Sequence, residues 1–138
     1  MLTLVVIPIA GVNTEQLIES FQGIECSIVI LGNERDFKTP FILSKWKLFM
    51  YADEVLSEEL NPAIPHFVNM GDADIYKIYK KVGNKISVSP RLFRSEIVLQ
   101  ENCLLPVDIE NYRIDTILNG YILDGLILDE KVISNDNC

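Results

Sequence analysis

The chain has 138 residues, the usual size of one domain. Its 49% apolar and 23% charged content excludes a disordered chain, which combines few apolar residues with much unbalanced charge. A net charge of −8 and a pI near 4.6 argue against non-specific binding to nucleic acid or to an anionic membrane surface.

Residues 2–8 are rich in Leu, Val and Ile and read as a central strand, apolar on both faces. This early apolar run is broken by Thr3, Pro8 and Gly11, falls far short of the ~20 residues that cross a bilayer, and follows no Lys or Arg. Neither a membrane span nor a secretory leader is expected, and the location expected is cytoplasmic. Asn13 offers a helix N-cap with Gln16 three residues on. Leu17, Ile18 and Phe21 line one face of that helix, and Gly23 ends it. Residues 25–31 form a second apolar strand, which completes a right-handed βαβ unit with parallel strands.

A polar loop over 32–40 leads to a helix capped by Ser44 and running to Tyr51, with Trp46, Leu48 and Phe49 as its apolar members. Residues 53–57 form a short third strand, and the two prolines of 61–65 mark a turn. A helix is expected over 71–83, capped by Asp72 or Asp74. Ile75, Ile78, Tyr79 and Val82 make its stripe, Lys80 and Lys81 sit in its last turn, and Gly83 closes it. Strands follow at 85–89 and 95–99, with a third around 103–107. Asp108 caps another helix in which Ile114, Ile117, Leu118 and Tyr121 share a face and Gly120 stops the run. Asp124-Gly125 between two apolar triplets predicts a β-hairpin over 121–128. The fold class expected is α/β or α+β mixed: an N-terminal βαβ unit with parallel strands, then a more antiparallel C-terminal half ending in a β-hairpin. Residues 1–138 read as a single globular domain.

Few residues carry a chemical signature. Cys26, Cys103 and Cys138 are odd in number and lack a C-x-x-C pair, which fits neither a disulfide framework nor a zinc site. His66 is the sole histidine, so any nucleophilic triad would rest on it alone; no catalytic residue is assigned. Asp72-Ala73-Asp74 is a pair of carboxylates at a spacing that suits a hard divalent cation bridging phosphates, and equally suits a helix N-cap.

Four stretches together resemble the N-terminal half of nucleotide-sugar glycosyltransferases of the Rossmann-like GT-A architecture. They are Val5-Val6-Ile7-Pro8, Leu17-Ile18-Glu19-Ser20, Ser27-Ile28-Val29-Ile30 and Asp72-Ala73-Asp74. The resemblance implies a nucleotide or nucleotide-sugar binding domain. In it Asp72 and Asp74 would hold a divalent metal with the nucleotide, and the 8–14 junction would lie near the base. The second strand ends in Leu31-Gly32-Asn33, without the Asp that commonly follows it in that family.

Two further features are electrostatic. Lys77, Lys80, Lys81, Lys85, Arg91 and Arg94 form a basic island between acidic flanks, interleaved with Tyr76, Tyr79 and Phe93. Such an island suits another protein as partner; the opposing net charge disfavours nucleic acid. Glu54, Glu58, Glu59, Asp124, Asp129 and Glu130 present carboxylates to solvent or to a basic partner. Small size, surplus apolar residues and the lack of a catalytic signature favour a non-catalytic, acidic protein-binding protein of accessory, adaptor, inhibitor or immunity type, with no cofactor. The alternative is the nucleotide-sugar binding domain with a divalent metal.

Overall fold

A computed structural model of the chain describes residues 1–32, 42–101 and 103–124. The first strand, β1 (Leu2–Ile7), is buried along its whole length. A short helix, α1 (Glu15–Glu19), leads to β2 (Ser27–Ile30), which runs parallel to β1 with Thr3 opposite Ser27 and Val6 opposite Ile30. The βαβ unit is therefore as expected. The chain then crosses to the other side of β1 and forms β3 (Trp46–Tyr51), again parallel. β4 (Glu54–Leu56), α2 (Leu60–Met70), β5 (Ile75–Val82), β6 (Lys85–Arg94), a 3-10 turn at Ile109–Asn111 and β7 (Ile114–Asp124) complete the described elements. The sheet order is β2-β1-β3-β6-β5-β7-β4. β6 is antiparallel to both β3 and β5, and β4 is antiparallel to β7. This mixed sheet matches the expected class; residues 125–128 of the expected hairpin lie outside the described residues.

Several expected elements change type. Residues 46–51 are a strand, and Ser44 caps no helix: its hydroxyl donates to Trp46 O at 2.8 Å and meets Thr3 Oγ1 at 2.6 Å. β3 is buried on both faces, so it lacks the alternation that distinguishes a strand from a helix. The 61–65 turn is helical. Pro62 falls in the first turn of α2, where a missing amide costs nothing, and Pro65 is carried inside. The helix expected over 71–83 is β5, and Gly83, with φ +60°, turns a two-residue hairpin into β6. The strand at 85–89 extends to Arg94, whereas 95–99 and 103–107 retain only a bridge between Leu99 and Pro106. The helix expected after Asp108 is limited to the 3-10 turn, and β7 takes up the rest.

α1 and α2 cover one face of the sheet. Leu17, Leu60 and Ile64 pack there on Leu4, Val6, Leu48, Met50 and Ile78. On the other face Val5, Ile7, Phe49, Ile75 and Phe93 are covered by Ile97, Leu99 and Leu104. One buried lysine pins that cover: Lys47 Nζ donates to Ile97 O at 2.7 Å.

The sheet must also curl. Only Ala52 and Asp53 join β3 to β4, although β6, β5 and β7 stand between them in strand order. Three Cα steps reach about 11 Å, whereas four strand spacings in a flat sheet span about 19 Å. The β4 side of the sheet therefore folds back to the end of β3. At the return Ser57 Oγ accepts from Leu60 N–H at 3.2 Å and Tyr121 N–H at 3.0 Å.

Candidate functional site

β1 continues into β2 on one side and is flanked by β3 on the other, so the strand order reverses at β1. Connections leaving the carboxyl ends of two such strands diverge and open a crevice, the place where open α/β sheets take ligands. Here such a position would be flanked by the 8–14 junction after β1 and the Ala52–Asp53 bend after β3. The junction is shaped by Val12 N–H donating to Ile9 O at 3.1 Å, by Gly11 at φ +79°, and by Asn13 Oδ1 accepting from Glu15 N–H at 3.0 Å. Ala52 N–H donates to Ile7 O at 3.0 Å and ties the ends of β1 and β3 together.

Beneath the bend lies a buried charge cluster. Glu54 and Arg91 are 0% exposed. Arg91 grips both carboxylate oxygens, Nη1 to Oε1 at 2.7 Å and its second amino group, Nη2, to Oε2 at 2.9 Å. Lys80 Nζ donates to Oε2 at 2.6 Å and stands 3.8 Å from Asp124 Oδ1. The same carboxylate accepts the Tyr51 amide at 2.7 Å. Arg91 also donates to Phe49 O at 3.1 Å and to Ser89 Oγ at 3.2 Å. Its aim comes from a bulge: Tyr76 faces Leu92 and Lys77 faces Pro90, so Arg91 is the extra residue on β6. Burial by itself would raise the Glu54 carboxyl, but Arg91 and then Lys80 reverse the effect and hold it at about 2. Burial raises the neighbouring Asp53 carboxyl, and the Glu54 charge adds to that.

The expected site residues are scattered by this fold. β3 and β5 both run antiparallel to β6, so β5 begins at the edge opposite the crevice. Asp72 and Asp74 precede β5 and share that far edge. Asp74 Oδ2 accepts Arg113 N–H at 3.0 Å and Oδ1 lies 3.7 Å from Arg94 Nε, while Asp72 lies 3.7 Å from the Arg113 guanidinium. They cap no helix, and they do not fit a cation held against a ligand beside residues 8–14. Among the described residues no cluster of three or more His, Cys, Asp or Glu side chains is placed to hold a metal.

The basic island is divided as well. Lys80 and Arg91 are buried on Glu54, and Arg94 stacks on Trp46 at 4.4 Å at the far edge. Lys77 is half-buried, Lys81 lies over the Tyr121 ring at 5.6 Å, and Lys85 is exposed beside the β5–β6 turn. Among the carboxylates expected at the surface, Glu58 and Glu59 are exposed, Glu54 is not, and Asp129 and Glu130 lie outside the described residues. His66 packs against Phe67 within α2, and burial pushes the Cys26 thiol up. The Glu54–Arg91–Lys80 cluster escaped the sequence reading. Its one signal was an Asp-Glu pair following a long apolar run.

The fold is a mixed α/β sheet whose strand order reverses at β1. No family model matches the sequence, and no curated protein matches it. Solved structures do. S. aureus TarS 1–349 superposes with a TM-score of 0.57 at 15% identity, over 90% of this chain and 60% of that one. The same fragment in complex with UDP-GlcNAc gives 0.58 at 14% identity, over 89% and 58%. A third TarS structure gives 0.59 at 14%, over 91% of this chain and 37% of that one. The chain thus shares the TarS fold and spans at most 60% of the TarS chains it matches. This finding overturns the expectation of a non-catalytic accessory or adaptor protein.

Proposed function

We propose that this chain is a nucleotide-sugar binding domain that takes a nucleoside diphosphate sugar across the carboxyl ends of β1 and β3. One observation carries the reading: nine tenths of the chain follows the fold of TarS, which has been solved in complex with UDP-GlcNAc. The reversal of strand order at β1 is consistent with it, because open α/β sheets take ligands beyond the carboxyl ends of such strands. In this reading the 8–14 junction and the Ala52–Asp53 bend line the site, and the setting is cytoplasmic.

The test is a melting experiment with UDP-GlcNAc and UDP, each with and without Mn²⁺. A ligand selective for the native state stabilises it by RT ln(1 + [L]/Kd), about 2.7 kcal/mol at a hundredfold excess over Kd. Wild type and the double variant Asp72→Asn/Asp74→Asn should show the same upward shift, since those carboxylates stand at the far edge. Absence of any shift in wild type at millimolar ligand would end the proposal. Loss of the shift in the double variant alone would move the site to the opposite edge.

A further inference from the structure

We infer that the buried Glu54–Arg91–Lys80 cluster is a positioning device that fixes the Tyr51–Asp53 backbone at the crevice, separately from any part it plays in stability. The inference deepens the nucleotide-sugar reading and rests on it for the ligand, but not for the geometry.

Tyr51 is the last residue of β3, and its amide donates to the Glu54 side chain at 2.7 Å. A strand end normally finishes on a backbone or water partner, which leaves the following turn free to adjust. Here the acceptor is a carboxylate that cannot shift, because Arg91 holds both oxygens and Lys80 holds one of them. Arg91 is itself fixed on Phe49 O and Ser89 Oγ. The Tyr51 side chain closes the same knot, with its ring 5.4 Å from the guanidinium and 6.0 Å from the Lys80 ammonium. Strands β3, β4, β5 and β6 thus converge on one carboxylate under the two residues that would flank the ligand position. A ligand wall supported this way keeps its shape before the ligand arrives, which lowers the ordering cost of binding.

A structural ion cluster and a positioning cluster separate when all three charges are replaced together. Buried charge clusters often exchange for apolar side chains of similar volume without loss of stability. The variant E54L/K80M/R91M should therefore melt near wild type. Its Tyr51 and Ala52 amides should exchange with solvent at least about tenfold faster, relative to the amides of β1. Its UDP-GlcNAc affinity by calorimetry should fall at least about tenfold. Glu54→Gln, which retains an acceptor for the Tyr51 amide, should keep more of that amide's protection than Glu54→Leu; equal protection in the two would overturn the inference. A folded triple variant with wild-type exchange at Tyr51, or with wild-type affinity, would overturn it too. If wild type binds no UDP-GlcNAc, the functional reading falls, and the exchange comparison still decides whether the cluster fixes the bend.

Discussion

At the scale of single residues, two buried charges give opposite pH signatures. Glu54 has its carboxyl held at about 2 in the folded protein, against an ordinary 4.5. Its stabilising contribution is complete above pH 4.5 and drains away as pH falls toward 2. Removing the carboxylate leaves Arg91 and Lys80 buried without it, so Glu54→Ala should cost about 3–5 kcal/mol in denaturant unfolding at pH 7. The acid-side slope of stability should also flatten in that variant. Lys47 behaves in reverse: burial lowers its ammonium from 10.5 to about 8, against the pull of Glu96. Between those values the unfolded chain binds more protons than the folded one, so this residue's contribution to stability rises with pH from 8 to 10.5. Comparing wild type with Lys47→Met across that range should show the rise in wild type and its loss in the variant.

At the scale of elements, local sequence identified β1 and β2 from their apolar runs and α1 from the segment between them, although α1 is only Glu15–Glu19 and follows Thr14 in place of the expected Asn13 cap. It failed at β3 and β5 for two different reasons. Trp46–Tyr51 is buried on both faces, so no period is visible. In β5 the positions 75, 78, 79 and 82 satisfy a helical stripe, while Tyr76, Ile78 and Lys80 satisfy a strand. The ladders with β6 and β7 choose the strand, and β7 lies more than thirty residues away. β7 itself hides a distortion. Its pairing with β5 slips between Ile78 and Lys80, and Gly120 sits in the slip at φ +85°. A Cβ there would stand 2.5 Å from Leu60 N and 2.6 Å from Ser57 Oγ. Gly120→Ala should therefore destabilise by about 2 kcal/mol or more, read as a lowered urea midpoint.

At the scale of the whole molecule, the fold class and the connection over 8–14 were legible, and the buried Glu54–Arg91–Lys80 cluster was not. Charge along the sequence suggested one basic surface, but the topology sends Lys80 and Arg91 inward and Arg94 to the far edge. Linear clustering does not survive a sheet in which neighbouring strands come from distant segments. The place of the Asp72-Ala73-Asp74 motif is hidden for the same reason: its spacing is common, and only the direction of β5 reveals that it lies at the opposite end of the strands from residues 8–14.

The curl also dictates an order of assembly. On a ribosome Glu54 emerges ahead of Lys80 and Arg91, and well ahead of Asp124, its partner across the ladder. A lone carboxylate leaves water only at a cost of several kcal/mol or by taking up a proton, and the strand that β4 pairs with, β7, is made last of the described strands. Burial of that side chain between its counter-charges and closure of the β4–β7 ladder both wait for the end of the described chain.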